Sequence, residues 1–531
     1  MNIHRFLRPF APALTLLAAG LLYASPAQAQ TDSANISAIQ HNDPGFFVRA
    51  EVNRESRDYR EGDSFSLKVV SEKDAYLYVI YQQVDGQAYQ VFPNVAQPDN
   101  HVRAKQAIQI PANDDLFRWR IAAPFGTETV KVIAAEQPLK VLSDPRLRSK
   151  RFNPVSSEVV KGIGLELGAE TPDQPQTNNV PVVPVSTGAH WSECEITVTT
   201  YPRNQELVAS GAKRFGVFFG VSEHKYAMLE ELFTGRNSNL SSPHRDARYL
   251  AEQLNDIGDL NGSRVFTNDK ATRANLEEAV TKWLPEQSRP GDTVVIYFSG
   301  HGGQIPDDNG DESDDEDEFL IPNDYFGLAE LLGLLKQAKE GTVQEGLRSL
   351  LEFGRRLLQR TSTPEKASEL LVRSTGVTDD LFGHWLQSLD GRQVIVILDI
   401  CHAGGFSTQE KGVEDSAKSA KGFDFLDREV SRLKDIGQDN IVLLTSSTTE
   451  ELSLVRPDGE LSVMTYHLLN VLKQAKGPLD IDMAYERVKK QMQAYFESDE
   501  FLERNRQRKK PAKPHHPVLY KLTTNQVWLK P

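Results

Sequence analysis

The sequence predicts a small, sandwich-like all-β domain followed by an α/β domain with a mostly parallel sheet and helices on both faces. Residues 293–298 and 394–398 are continuous runs of β-favouring apolar residues, as in strands buried on both faces of a parallel sheet. From residue 214 onward such runs alternate with amphipathic helical patterns, which indicates a sheet covered by helices. Residues 46–139 instead carry only strand and turn patterns, with a hairpin signal at Asp85-Gly86.

Length and charge limit the possible organisation and partners. A chain of 531 residues is too long for one ordinary core, so we expect at least two domains. We predict an all-β accessory domain at 46–139, a Pro-rich polar linker at 140–190 and the α/β domain at 205–531, with a helical insertion at about 326–375. The formal net charge of −14 argues against nucleic acid as the main partner and favours a basic substrate.

The first 29 residues have the pattern of a secretion signal peptide. His4, Arg5 and Arg8 form a basic start, an apolar run follows, and Ala27-Gln28-Ala29 fits the small-x-small cleavage rule. The apolar run is short for a membrane span, and no other stretch is long enough to be one. We therefore expect a mature chain that begins near Gln30, has no membrane span, and works in a periplasm or outside the cell.

Two residues with nucleophile and base chemistry follow the two buried runs. His301 lies in Ser299-Gly300-His301-Gly302-Gly303 after the first run, and Cys401 lies in Asp399-Ile400-Cys401-His402 after the second. Because parallel strands present their carboxyl ends at one edge of a sheet, neighbouring strands would bring His301 and Cys401 within reach of each other. A thiolate beside an imidazole is the minimum set for nucleophilic acyl transfer, and the N–H groups of Gly302 and Cys401 could form an oxyanion hole.

Other interpretations of these residues stay open. Cys401 could be a core thiol, as we interpret Cys194, the only other cysteine. A His-Gly-Gly turn also occurs in the oxyanion loops of esterases, but the Gly-x-Ser-x-Gly elbow that such a fold needs is missing from the sequence. His402 neighbours Cys401 on an extended segment and would point to the opposite side, which argues against it as the base.

The two motifs resemble those of a known family. Tyr297-Phe298-Ser299-Gly300-His301-Gly302-Gly303-Gln304 and Asp399-Ile400-Cys401-His402-Ala403-Gly404 resemble the catalytic motifs of the caspase-like cysteine peptidases, in the metacaspase and orthocaspase branch. The resemblance runs from about residue 214 to the C-terminus and includes Ile321-Pro322-Asn323-Asp324 and His516-Pro517-Val518-Leu519. The all-β stretch resembles an uncharacterised domain that often precedes caspase-like domains in exported bacterial proteins. The resemblance implies a Cys401–His301 dyad with His301 as acid and base.

The resemblance also implies an acidic pocket that selects Arg or Lys at the cleaved position of a protein or peptide substrate. The family's pocket residues correspond to Asp246, Ser299 and Asp399. Two buried carboxylates are unfavourable until a guanidinium or ammonium enters, which is consistent with this selection. Asp246 could alternatively be an ordinary helix N-terminal residue stabilised by the helix dipole. The family often has a cysteine three residues before this aspartate, where this chain has Pro243.

An acidic stretch raises the question of calcium, whereas no organic cofactor is expected. Residues 307–318 include nine acidic side chains, and the spacing of Asp307, Asn309, Asp311 and Glu318 half-matches a calcium loop, although Glu312 stands where that loop needs glycine. The alternative is a solvated acidic loop.

The resemblance offers a different calcium site. Several metacaspases need calcium, and their ligands correspond to Asp317, Asp379 and Asp380, while Thr408 stands at the position of the fourth. We therefore treat calcium stimulation as an open expectation.

The polar, Lys-rich segment 407–434 corresponds to the family's junction between large and small subunits, which can be cut autocatalytically. Lys411, Lys418 and Lys421 would suit an enzyme that cuts after basic residues, and the alternative is an uncut surface loop. The sequence therefore predicts an exported cysteine endopeptidase, with self-processing and an uncut loop as the two alternatives for this segment. The rival from another class is a catalytically inactive caspase-like scaffold.

Overall fold

A computed structural model of the chain describes most of residues 35–531. The described ranges are 35–41, 44–113, 117–168, 190–204, 211–235, 237–307, 316–402, 427–447, 453–507, 511–521 and 525–531, with the single residues 115, 451 and 523, and with only the backbone of residues 360, 401, 402 and 427–429. The predicted signal peptide, residues 308–315 of the acidic stretch, and most of the predicted self-processing segment lie outside the described residues.

The N-terminal part of the described chain is a β-structure with one α-helix. Its elements are β1 Val48–Val52, β2 Asp58–Arg60, β3 Ser64–Phe65, β4 Leu67–Ser71, β5 Ala75–Gln82, β6 Ala88–Phe92, β7 His101–Val102, β8 Ile108–Ile110, β9 Trp119–Arg120, β10 Thr127–Ala135, β11 Asn153–Val155, α1 Ser157–Leu167 and β12 Trp191–Tyr201. We call residues 46–201 the accessory domain.

Two sheets pack face to face in the accessory domain. The larger sheet has the order β11-β6-β5-β10-β12-β2 with β7 on β5, and a three-stranded sheet has the order β1-β4-β8. Successive side chains of β5 point to opposite faces. Leu77 and Val79 therefore enter the core between the sheets, whereas Tyr78 and Ile80 enter a second core on the outer face.

The prediction of a linker at 140–190 was wrong for its first part. β11 pairs with β6, and α1 packs Ile163 and Leu167 into the second core. Ser156 caps the start of α1 and Gly168, with φ of 66°, ends it. The apolar residues of α1 recur at helical spacing, a signal that the neighbouring Pro-rich composition obscured. β12 then extends the accessory domain past residue 190 by pairing with β10, and residues 169–189 lie outside the described part.

The C-terminal part of the described chain is the α/β domain. Its elements are β13 Arg214–Gly220, α2 Ala227–Thr234, α3 Pro243–Ile257, β14 Gly262–Thr267, α4 Arg273–Glu278, α5 Leu284–Gln287, β15 Thr293–Pro306, β16 Glu316–Leu320, α6 Leu328–Glu340, α7 Arg348–Arg360, α8 Pro364–Thr375, β17 Val377–Thr378, α9 Asp379–Leu386, β18 Gln393–His402, α10 Asp427–Asp435, β19 Ile441–Thr445, α11 Val463–Gln474, β20 Leu479–Asp480, α12 Ile481–Phe496, α13 Asp499–Arg506, β21 Val518–Lys521 and β22 Trp528–Lys530.

The main sheet of this domain has the order β14-β13-β15-β18-β19-β21, and β21 is the antiparallel member. Alternate residues of the two central strands feed different cores. Ile296 and Val396 lie in the core covered by α4, α5, α9 and α10, whereas Tyr297 and Ile397 lie in the core covered by α3, α11 and α12. The predicted fold class, an α/β domain after an all-β domain, is confirmed.

The stretch between β16 and β17 holds three helices, α6, α7 and α8. Leu331, Leu350 and Leu371 join them in a core of their own, to which α2 contributes Leu229. This is where the sequence predicts a helical insertion. None of the helices in the described ranges has the length and apolar character that crossing a bilayer requires.

The two domains share a hydrophobic core. Phe47 and Val70 of the accessory domain belong to the same buried cluster as Val430 and Leu433 of α10. Polar contacts surround it: the Asp390 carboxylate accepts hydrogen bonds from Arg49 and Arg57 at 3.2 Å each. The accessory domain is therefore packed firmly against the helices on one face of the α/β sheet.

Candidate active site

Strands β15 and β18 are parallel neighbours in the centre of the sheet. Their register pairs Ser299 with Asp399, His301 with Cys401 and Gly302 with His402. The backbone of Cys401 therefore lies directly beside that of His301, and Gly302 and Cys401, whose N–H groups are predicted to form the oxyanion hole, lie on adjacent strands.

We expected His301 at the tip of its strand, but the strand continues beyond it. Residues 302–306 continue β15 and pair antiparallel with β16, with Gly302 opposite Leu320. The glycines that suggested a turn instead allow close packing, because a Cβ on Gly303 would stand 2.6 Å from the ring of Phe319. The sheet edge predicted for His301 is thus covered on one side by an added strand.

The ring of His301 is fixed by a backbone carbonyl. Its Nε2 lies 2.7 Å from the carbonyl oxygen of Ser238, in the loop between α2 and α3, and the residue is 7% exposed. Because a carbonyl oxygen can only accept a hydrogen bond, Nε2 must carry the proton. In the neutral ring Nδ1 then holds the lone pair, so Nδ1 is the basic nitrogen.

A second imidazole, which the sequence analysis missed, lies against this ring. His224 stacks on His301 with ring centroids 5.6 Å apart and 24° between the planes. Burial, and then the charge of His301, lower the pKa of His224 to about 3, so His224 is neutral at physiological pH. His224 follows the end of β13 by four residues, so the same strand-end argument that selected His301 could have found it.

Asp246 reaches the site from the first turn of α3. The close approach of α3 to β13 needs a glycine, because a Cβ on Gly220 would stand 2.2 Å from the carbonyl oxygen of Pro243. The Asp246 side chain is 0% exposed and accepts hydrogen bonds from Ser299 Oγ at 3.1 Å and from the backbone N–H of Ser462 at 2.9 Å. These partners lie on other elements, so Asp246 is more than a dipole-stabilised helix residue.

Asp399 is the second buried carboxylate, 2% exposed. It accepts hydrogen bonds from Ser453 Oγ at 2.9 Å, from Thr465 Oγ1 at 2.7 Å and from Thr465 N–H at 3.2 Å, and from the hydroxyl of Ser462. Ser462, the N-cap of α11, therefore contacts both carboxylates. Ser453, Ser462 and Thr465 were not found from the sequence.

The two carboxylates interact electrostatically. Burial, and then the negative charge of Asp399, raise the pKa of Asp246 from its ordinary value of 3.8 to about 7. The hydrogen bonds from Ser462 and Ser299 act in the opposite direction. A site with two such groups is short of positive charge, so it favours the entry of a cation.

The residues that the resemblance assigns to calcium lie close together where β16 meets α9, and two of them contact arginines. Asp317 Oδ2 lies 2.5 Å from Arg373 Nη2, and Asp380 Oδ1 lies 2.6 Å from Arg432 Nη1. Asp379 accepts hydrogen bonds from the N–H groups of Glu318 at 3.3 Å and Asp380 at 3.1 Å.

In the part of the chain that the structure describes, no three His, Cys, Asp or Glu side chains are grouped so that they could hold a metal ion. Thr408, which stands at the fourth ligand position, lies outside that part. A calcium ion needs six to eight oxygen ligands, and with Arg373 and Arg432 paired to Asp317 and Asp380 the described side chains do not offer them.

Comparison with known proteins agrees with this architecture. Residues 240–332 match the family description "Metacaspase, peptidase C14 domain", residues 358–521 match "Caspase domain", and residues 58–138 match "Domain of unknown function (DUF4384)".

Curated relatives cover part of the same region. Metacaspase-1 of Emericella nidulans is 30% identical over 24% of this chain and 34% of its own length. Metacaspase-1 of Coccidioides immitis is 33% identical over 18% and 22%, and Metacaspase-1B of Aspergillus fumigatus is 44% identical over 10% and 13%. The chain thus spans about a third or less of the length of these relatives. The α/β domain therefore carries metacaspase and caspase (peptidase C14) domains, which are cysteine-type peptidase domains, and a DUF4384 domain precedes it in the chain.

Proposed function

We propose that the protein is an exported cysteine endopeptidase that cleaves peptide bonds after Arg or Lys. The observation that carries this proposal is the pair of buried carboxylates, Asp246 and Asp399. Asp399 and its strand neighbour Ser299 lie two residues before Cys401 and His301, respectively, on the central strands. Asp246 contacts Ser299 from α3. A guanidinium or ammonium that enters between the two carboxylates would bring the following peptide bond toward the dyad.

The charge of this pocket argues for basic substrates and against acidic ones. An aspartate side chain would add a third negative charge to two buried carboxylates, whereas a guanidinium can form bidentate hydrogen bonds with them. Ser299, Ser462 and Thr465 keep the carboxylates oriented before substrate arrives, so little reorganisation is needed on binding.

The reaction that this arrangement supports has two chemical steps. The Cys401 thiolate attacks the substrate carbonyl carbon, the C–N bond breaks, and the leaving amine takes a proton from the imidazolium of His301. A water molecule then gives a proton to His301 and attacks the thioester, which releases the carboxylic acid product and regenerates the Cys401 thiolate beside the imidazolium. The Ser238 carbonyl holds Nε2–H throughout, so that Nδ1 is the nitrogen that exchanges protons.

Export and self-processing are further parts of the proposal. Export is supported by the basic start, apolar run and Ala27-Gln28-Ala29 site at the N-terminus. Self-processing is supported by Lys411, Lys418 and Lys421, which lie between β18 and α10 and match the proposed preference for basic residues.

The test is a cleavage profile of the purified mature chain on a peptide library, followed by labelling with a peptidyl-Arg chloromethyl ketone. We expect cleavage after Arg and Lys and a covalent adduct on Cys401. Cleavage after Asp would contradict the pocket assignment. If the protein shows no cleavage and forms no adduct, the inactive scaffold is favoured instead.

The charge state of Asp246 predicts how substrate preference depends on pH. Because its pKa is raised to about 7, Asp246 is mostly ionised at pH 8 and mostly protonated at pH 6. The ratio of kcat/KM for an Arg peptide over a citrulline peptide, which is neutral but similar in shape, should fall about five- to tenfold from pH 8 to pH 6. Taking a ratio removes the titration of the catalytic dyad itself. A ratio that is constant over this range would show that Asp246 does not recognise the cation.

A further inference from the structure

The acidic cluster formed by Asp317, Asp379 and Asp380 obtains positive charge from its own chain. Asp317 lies on β16, and Asp379 and Asp380 are the first two residues of α9. β16 pairs antiparallel with β17, which ends at Thr378, the residue before α9. Negative groups enclosed in one place must be paired with cations or be strongly destabilising. The described structure supplies arginine at two of the three carboxylates.

The first arginine comes from the helical insertion. Arg373, on α8, donates from Nη2 to Asp317 Oδ2 at 2.5 Å and to the carbonyl oxygen of Pro306 at 3.1 Å. Its side chain is 6% exposed and that of Asp317 is 1% exposed. A guanidinium keeps its charge even when buried, so Arg373 requires a nearby anion, and Asp317 is the carboxylate in closest contact with it.

The second arginine joins the cluster to the accessory domain. Arg432, on α10, contacts Asp380 at 2.6 Å and pairs with Glu72 of the accessory domain through Nε at 3.0 Å and Nη2 at 3.1 Å. Its guanidinium also lies over the ring of Phe47, 4.4 Å from the centroid. A bidentate carboxylate and an aromatic face together hold this side chain in one orientation.

We propose that Arg373 and Arg432 serve as built-in cations of the Asp317, Asp379 and Asp380 cluster, in the place that the family resemblance assigns to calcium. The accessory domain takes part by holding Arg432 through Glu72 and Phe47. Calcium would have to displace a paired guanidinium to reach these carboxylates, so the protein does not depend on calcium there. This proposal does not rest on the proposed peptidase activity, because it concerns ion binding and stability.

The decisive experiment removes the arginines and asks whether calcium dependence appears. In a Cys401→Ala background, which prevents self-cleavage, the melting temperature is measured with 1 mM calcium and with EGTA, and calcium binding is measured by calorimetry. The protein with both arginines should show the same melting temperature in both buffers. Arg373→Met and Arg432→Met should melt lower in EGTA and regain at least about 2 °C when calcium is added.

Matched variants separate this effect from a general loss of stability. Arg373→Lys retains a cation and should not respond to calcium, and Lys434→Met removes an exposed charge from the same helix as Arg432 and should not respond either. If Arg373→Met does not fold, Arg432→Met, at a position where the side chain is 11% exposed, decides the question. Glu72→Gln should lower the melting temperature equally with and without calcium.

Three outcomes would overturn the proposal. The first is calcium binding with stabilisation of the protein that retains both arginines. The second is a folded Arg432→Met protein that does not respond to calcium. The third, which concerns the role of the accessory domain alone, is a Glu72→Gln protein that melts at the parent temperature.

Discussion

Replacing Asp246 by Asn is expected to lower kcat/KM for Arg peptides by about 100-fold or more while making the folded protein more stable at pH 8. The loss follows because the substrate cation would lose one of its two buried counter-charges, a change worth about 3 kcal/mol in comparable pairs. Asparagine fits the site otherwise: its oxygen can accept from the Ser462 N–H, and its amide can donate to Ser299 Oγ.

The gain in stability follows from the sign of the pKa shift. Because the pKa of Asp246 is about 7 in the folded protein and about 3.8 when unfolded, the folded state binds its proton more tightly. The stability contributed by the protonated group is fully present below pH 3.8 and is lost as the pH rises through 7. Asparagine cannot ionise, so the variant avoids this loss.

The size of the effect is limited by the coupling with Asp399. Each pH unit between the folded and unfolded pKa values of Asp246 is worth about 1.4 kcal/mol. Because Asp246 and Asp399 interact, replacing one of them recovers only part of this free energy. We therefore expect the free energy of unfolding of Asp246→Asn to exceed that of the parent by about 1–3 kcal/mol at pH 8 and to differ little from it at pH 4. Thermal melts at both pH values measure this difference.

Asp256→Asn provides the matched control, since Asp256 is an exposed aspartate on the same helix. It should change neither activity nor stability appreciably. An Asp246→Asn protein that is less stable than its parent at pH 8, or that retains its preference for Arg, would contradict the description of the pocket as two electrostatically strained carboxylates.

The acidic residues of the pocket were assigned through the family resemblance, although both lie at the ends of recognisable elements. Asp399 follows a continuous apolar strand, and Asp246 follows Pro243 at the start of an amphipathic helix. Ser453, Ser462 and Thr465 could not be predicted in the same way. They reach Asp399 because β19 and α11 pack beside β18, and nothing in their local sequence encodes that contact.

The partner of His301 illustrates a different limit. The group that fixes its tautomer is a backbone carbonyl at Ser238, and a backbone acceptor is present at every position of every sequence. Only the path of the loop between α2 and α3 selects this carbonyl. The length of β15 was missed for a related reason, since glycines at 302 and 303 signal a turn locally, whereas pairing with β16 keeps the chain extended.

The accessory domain contacts α10, which comes after the strand of Cys401 in the chain. Its contact with α10 reaches the acidic cluster through Arg432, and α10 is the first described element after the strand that carries Cys401. Helix α10, which forms the C-terminal end of the predicted self-processing segment, is therefore fixed by a core that contains Phe47 and Val70. A cut within that segment would leave α10 held by these contacts, in addition to the sheet pairing of β19.

Replacing Cys401 by Ala is expected to abolish cleavage of an Arg-containing reporter peptide, with a loss of about 10⁴-fold or more in kcat. Without the thiol no acyl-enzyme can form, and the remaining groups can only orient substrate and stabilise charge. The measurement is reporter turnover by the purified variant, with its melting temperature as a check that the fold is intact. A circular dichroism spectrum equal to that of the parent would exclude unfolding as the cause.

The chain offers a matched control in its other cysteine. Cys194 lies on β12 of the accessory domain, and burial, followed by the charge of Glu193, raises the pKa of its thiol to about 12. A thiol that stays protonated at neutral pH is a poor nucleophile, so Cys194→Ala should retain full turnover and full labelling by the peptidyl-Arg electrophile. Turnover that survives in Cys401→Ala but is lost in Cys194→Ala would mean that the reaction does not proceed at His301 and Cys401.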